Sequence, residues 1–212
     1  VDSKKGISAN QLKRMVGVSY KTAWFLTHRI RHAMGVLNQE PLTGVVEVDE
    51  TYVGGKVRGM GRGYKGNKTM VLGAVSRSGA IRLKVEKRPD RKTLHGFIKA
   101  NVSDDAEAIY TDEWPAYRGI GDANTPHESV NHRDEEWVRG QVHTQTVESA
   151  WSLFKRGVVG TYHQLSEKHL DAYLDEFEWR HNNRQNPYIF RETLRVLVTA
   201  DPLTFQVLTQ AE

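Results

Sequence analysis

Three acidic residues stand where chemistry could be done. Asp49 lies near the end of a β-branched, largely apolar run, Val45-Val46-Glu47-Val48-Asp49-Glu50-Thr51-Tyr52-Val53. Asp112 closes a second such run, Ile109-Tyr110-Thr111-Asp112, and Glu148 follows in a segment of helical spacing. A carboxylate in an apolar setting is costly unless it is paired or binds a cation. Three acids delivered by two strands and a helix can converge on hard divalent ions. Oxygen-only ligands suit Mg²⁺ or Mn²⁺. Two such ions about 4 Å apart clamp a phosphodiester for in-line displacement. Taken singly, each acid is weak, because a strand-terminal Asp more often caps a turn. Glu47, Glu50 and Glu113 crowd the same segments. Strand alternation puts Glu47, Asp49 and Thr51 on one face and Glu50 on the other. The expected site residue is therefore Asp49, with Glu47 as its neighbour and Glu50 and Glu113 as bystanders.

The helix carrying Glu148 adds Ser152 and Lys155 at i+4 and i+7, on the same face. Lys155 then sits about 10 Å along the axis from Glu148, within reach of an adjoining phosphate. The plain alternative leaves Lys155 and Arg156 in water. His143, just before this helix, is either a base, a phosphate contact or an ordinary loop histidine.

The elements that must position these groups follow from periodicity. Ser8 with Gln11 three positions on starts a helix with Leu12, Met15 and Val16 on one side. Gly17-Val18-Ser19 breaks it, and Ser19 caps a second helix with Ala23, Leu26 and Ile30, widened by Trp24 and Phe25. Strands are expected over 45–53, 70–75, 80–85 and 106–111, with Ser76-Arg77-Ser78-Gly79 as a hairpin turn. Helices are expected over 91–101, 145–156, from Ser166 to about 182, and over 190–199. Strands followed by helix, strand and helices give an α/β fold with a mixed order.

Charge is unevenly spread. The 212 residues carry a net charge of +4. Residues 1–34 hold seven Lys/Arg against one acid, so they are +6 and the rest of the chain is −2. Two short helices around a Gly-containing turn, with that charge, read as a helix-turn-helix for DNA or as a helical hairpin. Tyr20, Lys21, Thr22, His28, Arg29 and Arg31 form its expected polar outer face. Residues 54–68 hold six Gly, five Lys/Arg (Lys56, Arg58, Arg62 and Lys65 among them) and no acid. Such a loop suits a nucleic-acid backbone, or is a long hairpin connection. Its spacing matches neither a P-loop nor a dinucleotide fingerprint. The absence of Cys excludes disulfides, Cys-ligated zinc and thiol catalysis in this chain. No stretch approaches 18 apolar residues and no signal sequence opens the chain, so no membrane association and a cytoplasmic address are expected.

Longer motifs now enter. Val48-Asp49-Glu50-Thr51-Tyr52-Val53-Gly54-Gly55-Lys56, Tyr110-Thr111-Asp112-Glu113 and His143 through Gly157 resemble bacterial insertion-sequence transposases of the ISXO-two-like group. So do Gly160-Thr161-Tyr162-His163, Lys168-His169-Leu170, Asp175-Glu176-Phe177 and Arg180-His181-Asn182, as well as Lys4 to Ala9 and Tyr20 to Trp24. The resemblance runs nearly end to end. It implies a DDE transposase: a ribonuclease-H-like mixed sheet flanked by helices and preceded by a small helix-turn-helix. The family's acids map onto Asp49, Asp112 and Glu148, and its helix Lys onto Lys155. Gln145 stands where the group is expected to have Asn. Members of the group commonly begin with a Cys-rich zinc ribbon, so this chain is expected to be the C-terminal portion of a longer protein.

The implied organisation is a helix-turn-helix over 1–40, a catalytic domain over 41–200 and a tail over 201–212. The implied activity is metal-dependent cleavage of transposon ends and transfer of the freed 3′-OH into target DNA. Two Mg²⁺ or Mn²⁺ ions are expected on Asp49, Asp112 and Glu148. DNA contacts are expected from Lys21, Thr22, Arg29, Arg31, Lys56, Arg58, Arg62, Lys65, Lys155 and Arg156. The resemblance also implies a homo-oligomer assembled on DNA at the nucleoid. The rivals are a non-catalytic DNA-binding regulator derived from a transposase, and a plain nuclease that hydrolyses without joining.

Overall fold

A computed structural model describes residues 3–35, 40–54, 68–87, 90–130 and 138–210. Lys56, Arg58, Arg62 and Lys65 lie outside the described residues. The chain divides into two compact units. One comprises Gln39–Lys155, and the other joins Val1–Asn38 with Arg156–Glu212.

The 39–155 unit is built on a five-stranded sheet. Its strands are β1 (Val45–Val53), β2 (Thr69–Ser76), β3 (Ile81–Glu86), β4 (Ala108–Asp112) and β5 (His127–Val130). They lie in the order β3-β2-β1-β4-β5. β1 is antiparallel to β2, and β2 to β3, whereas β1–β4 and β4–β5 are parallel. Order and direction are those of the ribonuclease-H-like sheet that the resemblance implies. β5 is absent from the sequence expectation: His127-Glu128-Ser129-Val130 is short and polar in three of its four residues, and only its pairing with β4 makes it a strand.

Even and odd positions of β1 face different partners. Val46 and Val48 are fully buried in a core with Leu72, Leu94, Phe97, Ile98 and Tyr117. Leu94, Phe97 and Ile98 belong to α3 (Arg91–Asn101), the helix expected at those residues. α3 starts at Asp90, whose carboxylate accepts the Thr93 N–H at 2.8 Å. Each buried aliphatic side chain here contributes roughly 1.5–3 kcal/mol. Glu47 and Asp49 face the other way, where Thr146, Val147 and Trp151 of α4 (Gln145–Gly157) meet them.

The other unit is helical. α1 (Ala9–Val16) is capped by Ser8 Oγ on the Gln11 N–H and ends at Gly17, whose φ of 74° is a left-handed cap suited to glycine. α2 (Tyr20–Gly35) is capped by Ser19 on the Thr22 N–H. A π-helical turn (Val158–Tyr162), a 3₁₀ turn (Glu167–His169), α5 (Leu170–Asn182), α6 (Ile189–Thr199) and α7 (Phe205–Thr209) complete it. No described helix is long and apolar enough to cross a membrane.

Two residues expected on the polar face of α2 are inside. Arg31 is only 3% exposed and pairs with Glu176 of α5 at 2.8 Å, its guanidinium 4.0 Å above the Tyr173 ring. Tyr162 also donates to Glu176, at 3.0 Å. His28 is 1% exposed and packs among Trp24, His169 and Tyr173. The reason is the stripe that α2 actually buries, Ala23, Thr27, Arg31 and Met34, which carries Arg31 at its centre. Tyr20, Lys21, Thr22 and Arg29 remain exposed.

Burial, then the Arg31 and His169 charges, pull the His28 imidazole down to about 3. The unfolded chain takes up this proton near pH 6.5, and the folded protein only near 3. His28 therefore costs stability progressively as pH falls through that window. Urea unfolding between pH 7 and pH 4 should show a steeper loss for the wild type than for His28→Phe. Equal slopes would remove His28 as the cause.

Candidate metal and phosphodiester site

The β1–β4 ladder ends at the pair Glu47↔Tyr110. Extending that register two residues brings Asp49 level with Asp112. Both strands run the same way here, so both acids stand just past the carboxyl end of the β1–β4 ladder, Asp112 at the last residue of β4 and Asp49 within β1, next to the place where the sheet changes from antiparallel to parallel. Ligands of open α/β sheets gather at such points. Carboxylate oxygens of Asp49, Glu50 and Asp112 all lie within 4.8 Å of one another.

Each of the three is held. Trp151 of α4 donates its indole N–H to Asp49 Oδ2 at 3.0 Å. The ring can lie there because Gly73 is the β2 residue opposite Asp49, and a Cβ on Gly73 would stand 2.5 Å from the indole. Asp112 Oδ1 accepts the Trp114 N–H at 3.1 Å. Glu50 Oε2 accepts the hydroxyl of Tyr117, a fully buried ring, at 2.9 Å. Burial, then the Glu50 and Asp112 charges, push the Asp49 carboxyl up to about 7. A cation would relieve the burial and repulsion that a proton relieves otherwise.

Glu50 corrects the expectation from alternation. Its backbone does belong to the Val46–Val48 face, but no ladder hydrogen bonds close the space between β1 and β4 at this level. A long Glu side chain held by Tyr117 reaches the Asp49 and Asp112 oxygens there. Glu148 is not a member of the group. It is exposed in the first turn of α4 and accepts the Thr144 hydroxyl at 3.2 Å. It sits one helical turn before Trp151, the residue that touches Asp49, so the two are neighbours on one side of the helix. Lys155 and Arg156 are exposed farther along α4. A cleft of about 160 Å³ beside Asp112 is lined by Glu113, Trp114, Arg118, His127 and Ser129. His127 was invisible as a cleft residue in the sequence because β5 was, and Arg118 because it follows a short 3₁₀ turn that the sequence does not announce.

Glu47 is the other residue the sequence misread. It is fully buried, outside the acidic group, and works as a clamp. Its Oε2 accepts the backbone N–H groups of Thr146 (2.7 Å) and Val147 (3.1 Å) at the start of α4. Its Oε1 accepts the Thr146 hydroxyl at 2.9 Å and Arg77 Nε at 2.9 Å. A strand carboxylate thus caps a helix that begins 98 residues later. His143 lies in this clamp, with Nδ1 3.2 Å from Glu47.

Residues 41–182 match the ISXO2-like transposase domain. The chain belongs to that family, within the DDE superfamily. An uncharacterized protein in transposable element ISH50 of Halobacterium salinarum is 28% identical over 196 residues, 85% of this chain and 66% of that protein. The chain therefore spans just under two thirds of that relative's length. Among solved structures, the HTLV-2 integrase catalytic core domain in complex with magnesium is 16% identical, with a TM-score of 0.38 over 68% of this chain and 87% of that one. The Mos1 transposase paired-end complex with left transposon end is 13% identical, with a TM-score of 0.37 over 92% and 74%. The fold assignment of this transposase domain rests on its own sheet order and not on these superpositions.

Glu47→Ala strands Arg77 and the first N–H groups of α4. It should lower the unfolding free energy by about 3–5 kcal/mol. Glu107→Ala, on an exposed site, should stay within about 0.5 kcal/mol. Equal denaturant midpoints for the two variants would refute the clamp.

Proposed function

We propose that this transposase domain cleaves transposon ends and joins the freed 3′-OH to target DNA, using Mg²⁺ or Mn²⁺, two ions in all. The observation that carries the reading is the convergence of Asp49 and Asp112 just past the end of the β1–β4 ladder in a chain belonging to a DDE family. The donors fit hard cations, being oxygens only and already within 4.8 Å of one another. Asp49, Asp112 and Glu148 would hold the ions. When bound, these supply Lewis-acid activation of the attacking and leaving oxygens.

The chain's own groups do the rest. Trp151 fixes the Asp49 carboxylate, and the Glu47 clamp fixes the helix that carries both Trp151 and Glu148. Glu148 swings from its Thr144 contact to complete the carboxylate set. Arg118, Lys155 and Arg156 hold phosphates, which binds the strand and sets its register without reading sequence. His143, beside Glu47, acts as an auxiliary positioning group.

The first forty residues, through Lys21, Thr22 and Arg29, would engage DNA as a helix-turn-helix, with residues 41–200 catalytic and 201–212 a tail. Lys56, Arg58, Arg62 and Lys65 would add backbone contacts. Arg31 is withdrawn from this set because it is buried on Glu176. The assembly would be a homo-oligomer on paired ends, at the nucleoid in the cytoplasm.

Asp49→Asn and Asp112→Asn should each abolish cleavage and joining in Mg²⁺ while leaving DNA binding within about twofold. Full activity in either variant would overturn the site. A wild-type protein that binds DNA and divalent ions but cuts nothing would favour the regulator instead, and hydrolysis without joining would favour the plain nuclease. Arg29→Ala should reduce the slope of log K against log[salt] by about 1. An unchanged slope would show that this face of α2 meets no phosphate.

A further inference from the structure

We propose that Glu50 is a further metal-binding carboxylate of this site and that Tyr117 is its positioning residue. The inference rests on the metal-dependent reading above and extends it to two residues outside the DDE set. Three observations carry it. A carboxylate oxygen of Glu50 lies within 4.8 Å of those of both Asp49 and Asp112, a grouping that Glu148 does not share. The ladder between β1 and β4 stops three residues before Glu50, which opens the passage from one face of the sheet to the other. Tyr117, fully buried against the α3 core, donates to one Glu50 oxygen at 2.9 Å.

The geometry is close to what a hard cation demands. Oxygens at 2.0–2.1 Å from Mg²⁺ stand about 3 Å apart in cis and about 4 Å apart in trans. Three oxygens already within 4.8 Å of one another reach that by moving inward by up to about an ångström each. Without a cation, the same arrangement sets like charges against each other in a half-buried place. The Tyr117 hydroxyl takes one Glu50 oxygen and so orients the other, as an outer-shell donor does for a metal-binding carboxylate. Tyr117 sits on the 3₁₀ turn Pro115–Tyr117, just after Asp112, so the turn that follows one metal acid orients another from β1. The carboxylate set would then be Asp49, Glu50 and Asp112 pre-assembled, with Glu148 joining them from α4.

The test is Mn²⁺ binding by calorimetry and by the electron paramagnetic resonance of free Mn²⁺, on the full chain without DNA. Wild type, Glu50→Gln, Tyr117→Phe, the double variant, Asp112→Asn and the exposed control Glu107→Gln are compared. Each is checked for folding by its melting temperature in EDTA. Glu50→Gln should weaken Mn²⁺ by at least tenfold, and Tyr117→Phe by about tenfold. Their combination should be no weaker than Glu50→Gln alone, because Tyr117 acts through Glu50. Glu107→Gln should match the wild type. Wild-type affinity in folded Glu50→Gln, with loss in Asp112→Asn, would overturn this inference and leave the site reading standing. Full additivity in the double variant would overturn the role of Tyr117. No Mn²⁺ binding by the wild type would overturn the site reading itself, and this inference with it.

Discussion

The arrangement of the site depends on one buried carboxylate. Glu47 has no access to water, yet its two oxygens are filled by Arg77, the Thr146 hydroxyl and two backbone N–H groups. A charge in that position is tolerated because every lone pair has a donor and because the start of α4 presents a positive dipole end. The consequence is geometric. α4 cannot slide or rotate on the sheet without breaking the cap, so the indole of Trp151 arrives at Asp49 and Glu148 stands one turn away. Hydrophobic contacts at Val147, Trp151 and Phe154 favour docking of the helix but do not choose its register. Directional hydrogen bonds to a fixed strand residue do.

Against that fixed background the acidic group is deliberately unfavourable. Asp49 is pushed up to about 7 because burial and two neighbouring carboxylates oppose its charge, while Trp151 and a backbone N–H only partly compensate. A structural acid in this family of environments would be paired with Arg, as Glu176 is with Arg31 in the other unit. The two cases define a contrast within one chain. Where a carboxylate serves the fold, a guanidinium meets it at 2.8–2.9 Å. Where the carboxylates converge on each other, no Arg or Lys ion pair with Asp49 or Asp112 occurs among the described residues, and the local excess of negative charge is left for a cation.

Much of this was legible in the sequence, for identifiable reasons. Ser8, Ser19 and Asp90 are caps whose effect is local, so α1, α2 and α3 begin where the residues say they should. β1 and β4 are β-branched and largely apolar, and Asp49 within β1 and Asp112 at the end of β4 stand out against them. β5 was not legible, since a strand of four residues with three polar side chains is made by its neighbour. Nor was α7, a five-residue helix after a short irregular stretch. Arg31 was misplaced because its partner is 145 residues away, and the helical wheel alone cannot separate a buried cation from an exposed one next to Ile30.

Glu47 and Glu50 show where a one-dimensional rule stops. Alternation assigned both side chains to the correct face of β1. It could not say that a helix N-terminus would be waiting above Glu47, which turns a supposed neighbour of the metal into the anchor of α4. Nor could it say that the ladder to β4 would end at Glu47, so that a face assignment would cease to constrain a side chain three residues later. Period two describes a strand inside a sheet. At the end of a parallel pair, where open sheets place their chemistry, the strands are no longer bound to each other, and side chains of both faces can meet. Acids adjacent in sequence at the end of such a ladder should therefore be weighed together, and the Asp49-Glu50 pair of this transposase domain is a case in which the discarded member, and not the helix acid, falls within 4.8 Å of both aspartates.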